Sequence, residues 1–152
     1  MQLDETRALA LRLMQEHGLA DWTFGFDRAK RRLGACWLHR KRITLSRDFV
    51  ALNDLTVVRD VVLHEIAHAL TPGDGHGRVF KRKARELGCS GSSCISGSSV
   101  VSSPPRFILE CPHCGRSWPR YRKPARKLAC GACLRSSGTA VSPLSIRRAV
   151  PD

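Results

Sequence analysis

Apolar residues Ala8, Leu9, Leu11, Leu13 and Met14 recur at broadly helical spacing over residues 4–17, and Gly18 follows as a residue suited to end a helix. Trp22, Phe24 and Phe26 alternate, which predicts a short strand with one buried face. Gly34–Leu38 and Ile43–Ser46, separated by the basic turn His39–Arg42, predict a hairpin. Asp54 can cap a helix running to about Leu70, rich in Val57, Val58, Val61, Val62 and Leu63 and stopped by Pro72-Gly73. A second helix is predicted from about Arg78 to Leu87, before Gly88. Residues 89–105 are mostly Ser and Gly, close on Pro104-Pro105, and predict a linker or long loop. No internal repeat is found.

Composition adds limits. At 152 residues and 42% apolar, the chain can build one ordinary domain, or a small domain with a metal-held appendage. That excludes disordered, collagenous and disulfide-scaffold classes. No apolar run approaches the ~18 residues of a membrane span. The opening Met-Gln-Leu-Asp-Glu-Thr-Arg places acids where a secretory signal carries bases, so a cytoplasmic location is expected, nucleoid-associated if the host is bacterial. Seven cysteines in a reducing compartment point to metal ligands rather than disulfides.

His64-Glu65-Ile66-Ala67-His68 is an H-E-x-x-H pattern inside the predicted Val-rich helix. Positions i and i+4 lie one above the other on a helix face, so both imidazoles can reach one zinc ion. Glu65, one residue on, is placed to take a proton from a water attacking a carbonyl. A catalytic zinc needs a third protein ligand. His76, in Gly73-Asp-Gly-His-Gly77, is favoured because Pro72 and the glycines let the chain turn back. Glu86 is the rival, on the following helix; otherwise it pairs with Arg82 or Lys83. Asp60, one turn before His64, either orients that imidazole or is an exposed helix acid.

Cys111-Pro-His-Cys114 and Cys130-Gly-Ala-Cys133 are two knuckles with fifteen residues between them, a zinc-ribbon spacing. Four thiolates close a tetrahedral structural site, and metal binding would organise a segment poor in apolar residues. His113 is expected to face solvent. Cys89 and Cys94 are read as free thiols, and Cys36 as a small core residue. His17 and His39 have no partner pattern.

Charge is uneven along the chain. Residues 1–75 hold 11 bases and 10 acids, whereas residues 76–152 hold 15 bases and 3 acids. That asymmetry suggests a polyanionic partner, most often nucleic acid. Between the knuckles, Arg116, Arg120, Arg122, Lys123, Arg126 and Lys127 are interleaved with Trp118 and Tyr121. Such an edge offers cations to phosphates and aromatic faces to unpaired bases. Alternatively, the two aromatics cover the metal site and the bases keep the module soluble.

Asp60-Val-Val-Leu-His-Glu-Ile-Ala-His-Ala-Leu70, then Gly75-His-Gly77 and Phe80, resembles the SprT-like (Spartan-type) metalloprotease family. Leu33-Gly34, Ile43-Thr-Leu-Ser46 and Leu87-Gly88 fit the same layout over roughly residues 5–135. Arg78-Val79 departs from the Pro-Glu that often precedes the aromatic residue. The resemblance implies that His64, His68 and His76 bind zinc, that Glu65 is the catalytic base, and that substrates include proteins crosslinked to DNA.

The expected fold is α+β. A zincin-like domain at 1–88, with a small antiparallel sheet on the H-E-x-x-H helix, precedes a linker or loop at 89–105. A zinc ribbon follows at 106–135, then a basic tail at 136–152. One catalytic and one structural zinc are expected, with single-stranded or mixed DNA and DNA-bound proteins as partners, no membrane, and a monomeric state. A nucleic-acid-binding protein with an inactive zincin scaffold, or a WLM-type protease, is the alternative.

Overall fold

The structure, a computed structural model, describes residues 3–89, 100–137 and 142–149. It divides into two compact units, Met1–Ser103 and Pro104–Asp152. The first runs α1 (Leu3–Glu16), β1 (Thr23–Asp27), β2 (Gly34–Trp37), a 3-10 turn (Leu38–Arg40), β3 (Arg42–Ser46), α2 (Arg47–Leu52), α3 (Leu55–Leu70) and α4 (Arg78–Glu86).

The helix expected to carry the H-E-x-x-H residues is α3. Asp54 caps it, its carboxylate accepting from the Val57 N–H at 3.0 Å. Val58, Val61, Val62, Leu63, Glu65, Ile66 and Ala67 are all buried along it. A helix covered on more than one side reads as apolar nearly all round, and this one packs on α1, α4, β2 and β3. Leu9, Leu13 and Met14 of α1, Phe24 of β1, Ile43 and Leu45 of β3, Phe49 of α2 and Phe80 of α4 complete the core.

The first sheet has the order β1-β3-β2. The β2–β3 hairpin forms as the sequence predicts, with Gly34 opposite Leu45 and Trp37 opposite Arg42. The sheet as a whole is not antiparallel, however. β1 pairs parallel to β3, from Thr23↔Arg42 to Asp27↔Ser46. The chain leaving β1 passes beyond the neighbouring position before β2 begins, and the hairpin then returns β3 into that gap, running the same way as β1. β2 is left at the edge beside α3. A short helix that periodicity did not reveal, α2, starts directly from β3. Ser46 ends the strand and caps α2, its Oγ accepting from the Phe49 N–H at 3.3 Å.

The stretch expected as a linker is partly anchored. Val100 packs on the core. Asn53 pairs with the backbone of Val101 through two 2.8 Å hydrogen bonds, and the Ser103 hydroxyl donates to Asp48 at 2.6 Å. Residues 90–99, Cys94 among them, lie outside the described residues. Cys89 is buried, its thiol 3.6 Å from the Asp60 carbonyl.

The second unit contains β4 (Phe107–Glu110), β5 (Ser117–Arg120), α5 (Gly131–Ser137) and β6 (Ser145–Arg148). Its antiparallel sheet has the order β5-β4-β6. Residues 136–152, expected as a basic tail, therefore supply a strand: β6 lies along β4 with Ile146 opposite Leu109. Among the described residues, no helix is long and apolar enough to cross a membrane.

Candidate active site and metal centres

His64 and His68 stand one turn apart on α3, and His76 returns from the loop that follows. The loop can double back because Gly73 and Gly75 take φ of 86° and 57°, a region that L side chains rarely enter. Asp74 then fixes the turn: its carboxylate accepts from the Phe80 N–H at 2.8 Å and so caps α4, whose own N-cap, Gly77, has no side chain to do so. The three Nε2 atoms form a nearly equilateral triangle, with separations of 3.2 Å (His64–His68), 3.1 Å (His68–His76) and 3.2 Å (His64–His76). Beneath it lies the fully buried Phe80, stacked on His68 and edge-on to His64 and His76.

The electrostatics suit neutral imidazoles. Burial, followed by the proximity of His68 and His76, pushes His64 down to about 4, with Asp60 pulling the other way. Burial and His76 likewise lower His68. Ring nitrogens gathered so closely are suited to a shared cation. Zn–N bonds of about 2.0–2.1 Å in a tetrahedron imply N···N edges of about 3.3 Å, close to the observed triangle. Glu86, the rival ligand, is exposed on α4 and bound to Lys83 at 2.5 Å, with Arg82 at 3.9 Å.

Glu65 points from the same helix into the first unit and is buried. Burial raises its carboxyl to about 8, against the pull of the Arg32 charge and a hydrogen bond from the Cys36 backbone. Gly34 makes room for it. A Cβ there would stand 2.8 Å from Glu65 Oε1 and 2.9 Å from its Cγ. Edge strand β2 thus presses on the acid beside the histidine triangle. Together they border a cleft of about 840 Å³ that also includes Arg31, Arg32, Cys36, Leu38 and Thr71.

In the second unit, all four cysteine sulfurs lie within 4.8 Å of one another. Cys111–Cys133 and Cys114–Cys130 are each separated by 3.8 Å, the edge of a tetrahedron with Zn–S bonds of about 2.3 Å. Backbone N–H groups of Cys114 and His113 point at the Cys111 sulfur, and those of Cys133 and Ala132 at Cys130. Each set lowers the pKa of the thiol it faces, favouring the thiolate that binds metal. His113 is exposed and outside the cluster.

Residues 6–99 match the model of the SprT-like family. The chain belongs to the SprT-like family. It is also similar in structure to the metallopeptidase zymogen jannalysin of Methanocaldococcus jannaschii, at 16% identity and a TM-score of 0.48, over 53% of this chain and 79% of that one. Comparison with curated proteins returns no match. Membership in the SprT-like family, with the histidine triangle and Glu65, supports a metallopeptidase-type function and sets aside the WLM alternative.

In this SprT-like protein the residues expected to meet nucleic acid divide into two sets. Arg116, Arg120, Arg122, Lys123, Arg126 and Lys127 are exposed. Trp118 and Tyr121 are only half-exposed, and Trp118 packs against the cysteine cluster with Ala132 and Leu144. The indole therefore covers the cysteine cluster. The cleft also contains residues to which motif reasoning assigned no role: Gly34, Arg32 and the Cys36 backbone. Only Gly34 left a trace, within the family-like Leu33-Gly34 pair.

Proposed function

We propose that this SprT-like protein is a zinc-dependent endopeptidase acting on proteins associated with DNA or crosslinked to it. The observation that carries the peptidase reading is a buried acid, Glu65, beside three converging imidazoles in an open cleft. His64, His68 and His76 would hold the catalytic ion, and Cys111, Cys114, Cys130 and Cys133 a structural one. A bound zinc supplies Lewis acidity toward the scissile carbonyl and leaves a fourth position open. Glu65 accepts the proton of the attacking water and passes it to the leaving amine. Gly34 and the Cys36 N–H hold the carboxylate in place during that transfer.

The DNA half of the reading rests on the excess of bases in residues 76–152 and on the exposed cations of the second unit. Tethering enzyme and substrate on one polymer would raise their effective concentration. The test is Glu65→Gln, assayed on a DNA-binding protein with and without DNA. Metal content should be kept and fragments should vanish. Undiminished cleavage by a pure sample of that variant would refute the mechanism. Equal cleavage with and without DNA by the wild-type protein would remove the DNA half alone.

A further inference from the structure

The near-balance of charge over residues 1–75, 11 bases against 10 acids, conceals a local basic cluster. Residues 28–42 hold seven bases, namely Arg28, Lys30, Arg31, Arg32, Arg40, Lys41 and Arg42, and no acid. Three of the seven are paired: Lys30 with Asp48, Arg32 with Asp27, and Lys41 with Asp21. Among the described residues, Arg28, Arg31, Arg40 and Arg42 form no ion pair. In the midst of these cations stands Trp37, with 41% of its surface exposed at the end of edge strand β2. The guanidinium carbons of Arg32 and Arg40 lie 5.5 and 5.9 Å from its ring centroid. The indole is not a loose surface side chain. Its Nε1–H donates to Thr44 Oγ1 at 3.1 Å, and Thr44 donates to the Asp27 carboxylate at 3.0 Å, which also binds Arg32.

We propose that single-stranded nucleic acid docks on the first unit itself, with an unpaired base against Trp37 and phosphates on Arg31 and Arg40. An indole held by a partly buried hydrogen-bond chain can receive a stacked base with little further loss of side-chain freedom, and guanidinium planes serve both stacking and phosphate contact. An acidic peptide would use the cations but has no need of the exposed ring. Arg31 and Arg32 also border the cleft that holds the histidines, so a strand bound here would run past its mouth. These residues belong to the first unit and not to the second, and occupancy of this surface does not depend on peptidase activity.

The experiment measures fluorescence anisotropy of labelled oligo(dT) with the full chain at fixed salt. The variants are Arg31→Ala/Arg40→Ala, Trp37→Ala, and the five-fold alanine variant of Arg120, Arg122, Lys123, Arg126 and Lys127. The arginine pair should raise Kd roughly tenfold and flatten the salt dependence, in the wild-type and in the five-fold background alike. Trp37→Ala should lower the preference for oligo(dT) over duplex of the same length. Because that variant also loses the bond to Thr44, the arginine pair decides alone if it unfolds; both arginines are exposed and their removal leaves the core intact. Wild-type affinity in the Arg31→Ala/Arg40→Ala protein would overturn the proposal. So would a larger loss for an oligoglutamate peptide than for oligo(dT), which would assign the face to acidic protein segments.

Discussion

Phe80 and His68 are stacked, with ring centroids 4.3 Å apart and planes inclined by 28°. The contact links the buried side of α4 to the histidine-bearing side of α3, and Phe80 also lies against the rings of His64 and His76, with centroids 4.9 Å apart in each case. One side chain thereby restrains all three imidazoles.

Phe80→Ala should therefore act twice. Deleting a fully buried aromatic ring costs about 3–5 kcal/mol in lost burial and cavity. It also frees the imidazole rings to rotate, so metal affinity at the histidine site should fall while the cysteine site keeps its ion. Denaturant unfolding and chelator competition, with site occupancy read separately, check the two effects. Phe80→Leu should recover most of the stability but less of the affinity, because it fills space without presenting a flat face.

Gly34→Ala tests the seat of Glu65. The new methyl would lie 2.8 Å from Glu65 Oε1 and 2.9 Å from Leu45 Cδ2, and neither the buried acid nor the β3 core residue can withdraw freely. The expected cost is about 1–3 kcal/mol of stability. Catalytic turnover should fall more than tenfold with the histidine-bound ion retained, since the displaced group is the proposed base and not a proposed ligand. A peptidase assay paired with metal analysis separates these outcomes. Unchanged turnover would show that Glu65 tolerates a shift.

Glu65 also makes metal-free stability depend on pH. Its carboxyl titrates at about 8 in the fold against 4.5 in the unfolded chain, with burial as the main cause. Between those values the native state binds a proton that the unfolded chain has released. The stabilising contribution is complete below pH 4.5 and is lost as pH rises through about 8. Glu65→Gln removes this dependence. In chelator at pH 8 the variant should be more stable than wild type, by up to about 4 kcal/mol, and the gap should close toward pH 4.5. Helical circular dichroism during urea unfolding follows the first unit, which holds α1 to α4. Equal stability of the two proteins at both pH values would contradict the burial of the charge.

The sequence made α3 legible because several independent signals coincide there: a capping Asp54, a Val-rich run, two histidines at i and i+4, and Pro72-Gly73 beyond the end. His76 was legible for a related reason, since glycines on both sides of a histidine mark a turn. The parallel pairing of β1 with β3 was not, because alternation at Phe24 and Phe26 identifies a strand but not its neighbour. β6 was hidden more thoroughly. Ser145-Ile-Arg-Arg148 is exposed along its whole length and carries one apolar residue, so it has no buried face to mark it. Trp37 and its arginines are masked in the sequence because acids elsewhere in residues 1–75 offset the bases of 28–42. Gly34 shows its purpose only once Glu65 is seen against it.

Metal removal should separate the two units. The first has an extensive apolar core of helices and sheet, whereas among the described residues of the second only Leu109 and three cysteines are buried. Metal binding should accordingly supply most of the second unit's folding free energy. Gently purified protein should hold two zinc ions per chain. Cys111→Ser should lower this towards one and open residues 104–152, while helical circular dichroism from the first unit persists. Truncation after Ser137 probes the same unit without touching a ligand. It deletes β6, removes the ladder from Phe107↔Arg148 to Glu110↔Ser145, and exposes one edge of β4. The four sulfurs remain, so the ion should still bind, but more weakly, because the strand that leads into Cys111 has lost one of its two neighbours. Chelator competition on the truncated chain, with amide hydrogen exchange at Phe107–Glu110, measures both consequences. Full protection of those amides after truncation would mean that β5 and the metal alone hold β4, and that β6 is an ornament of the sheet rather than a support.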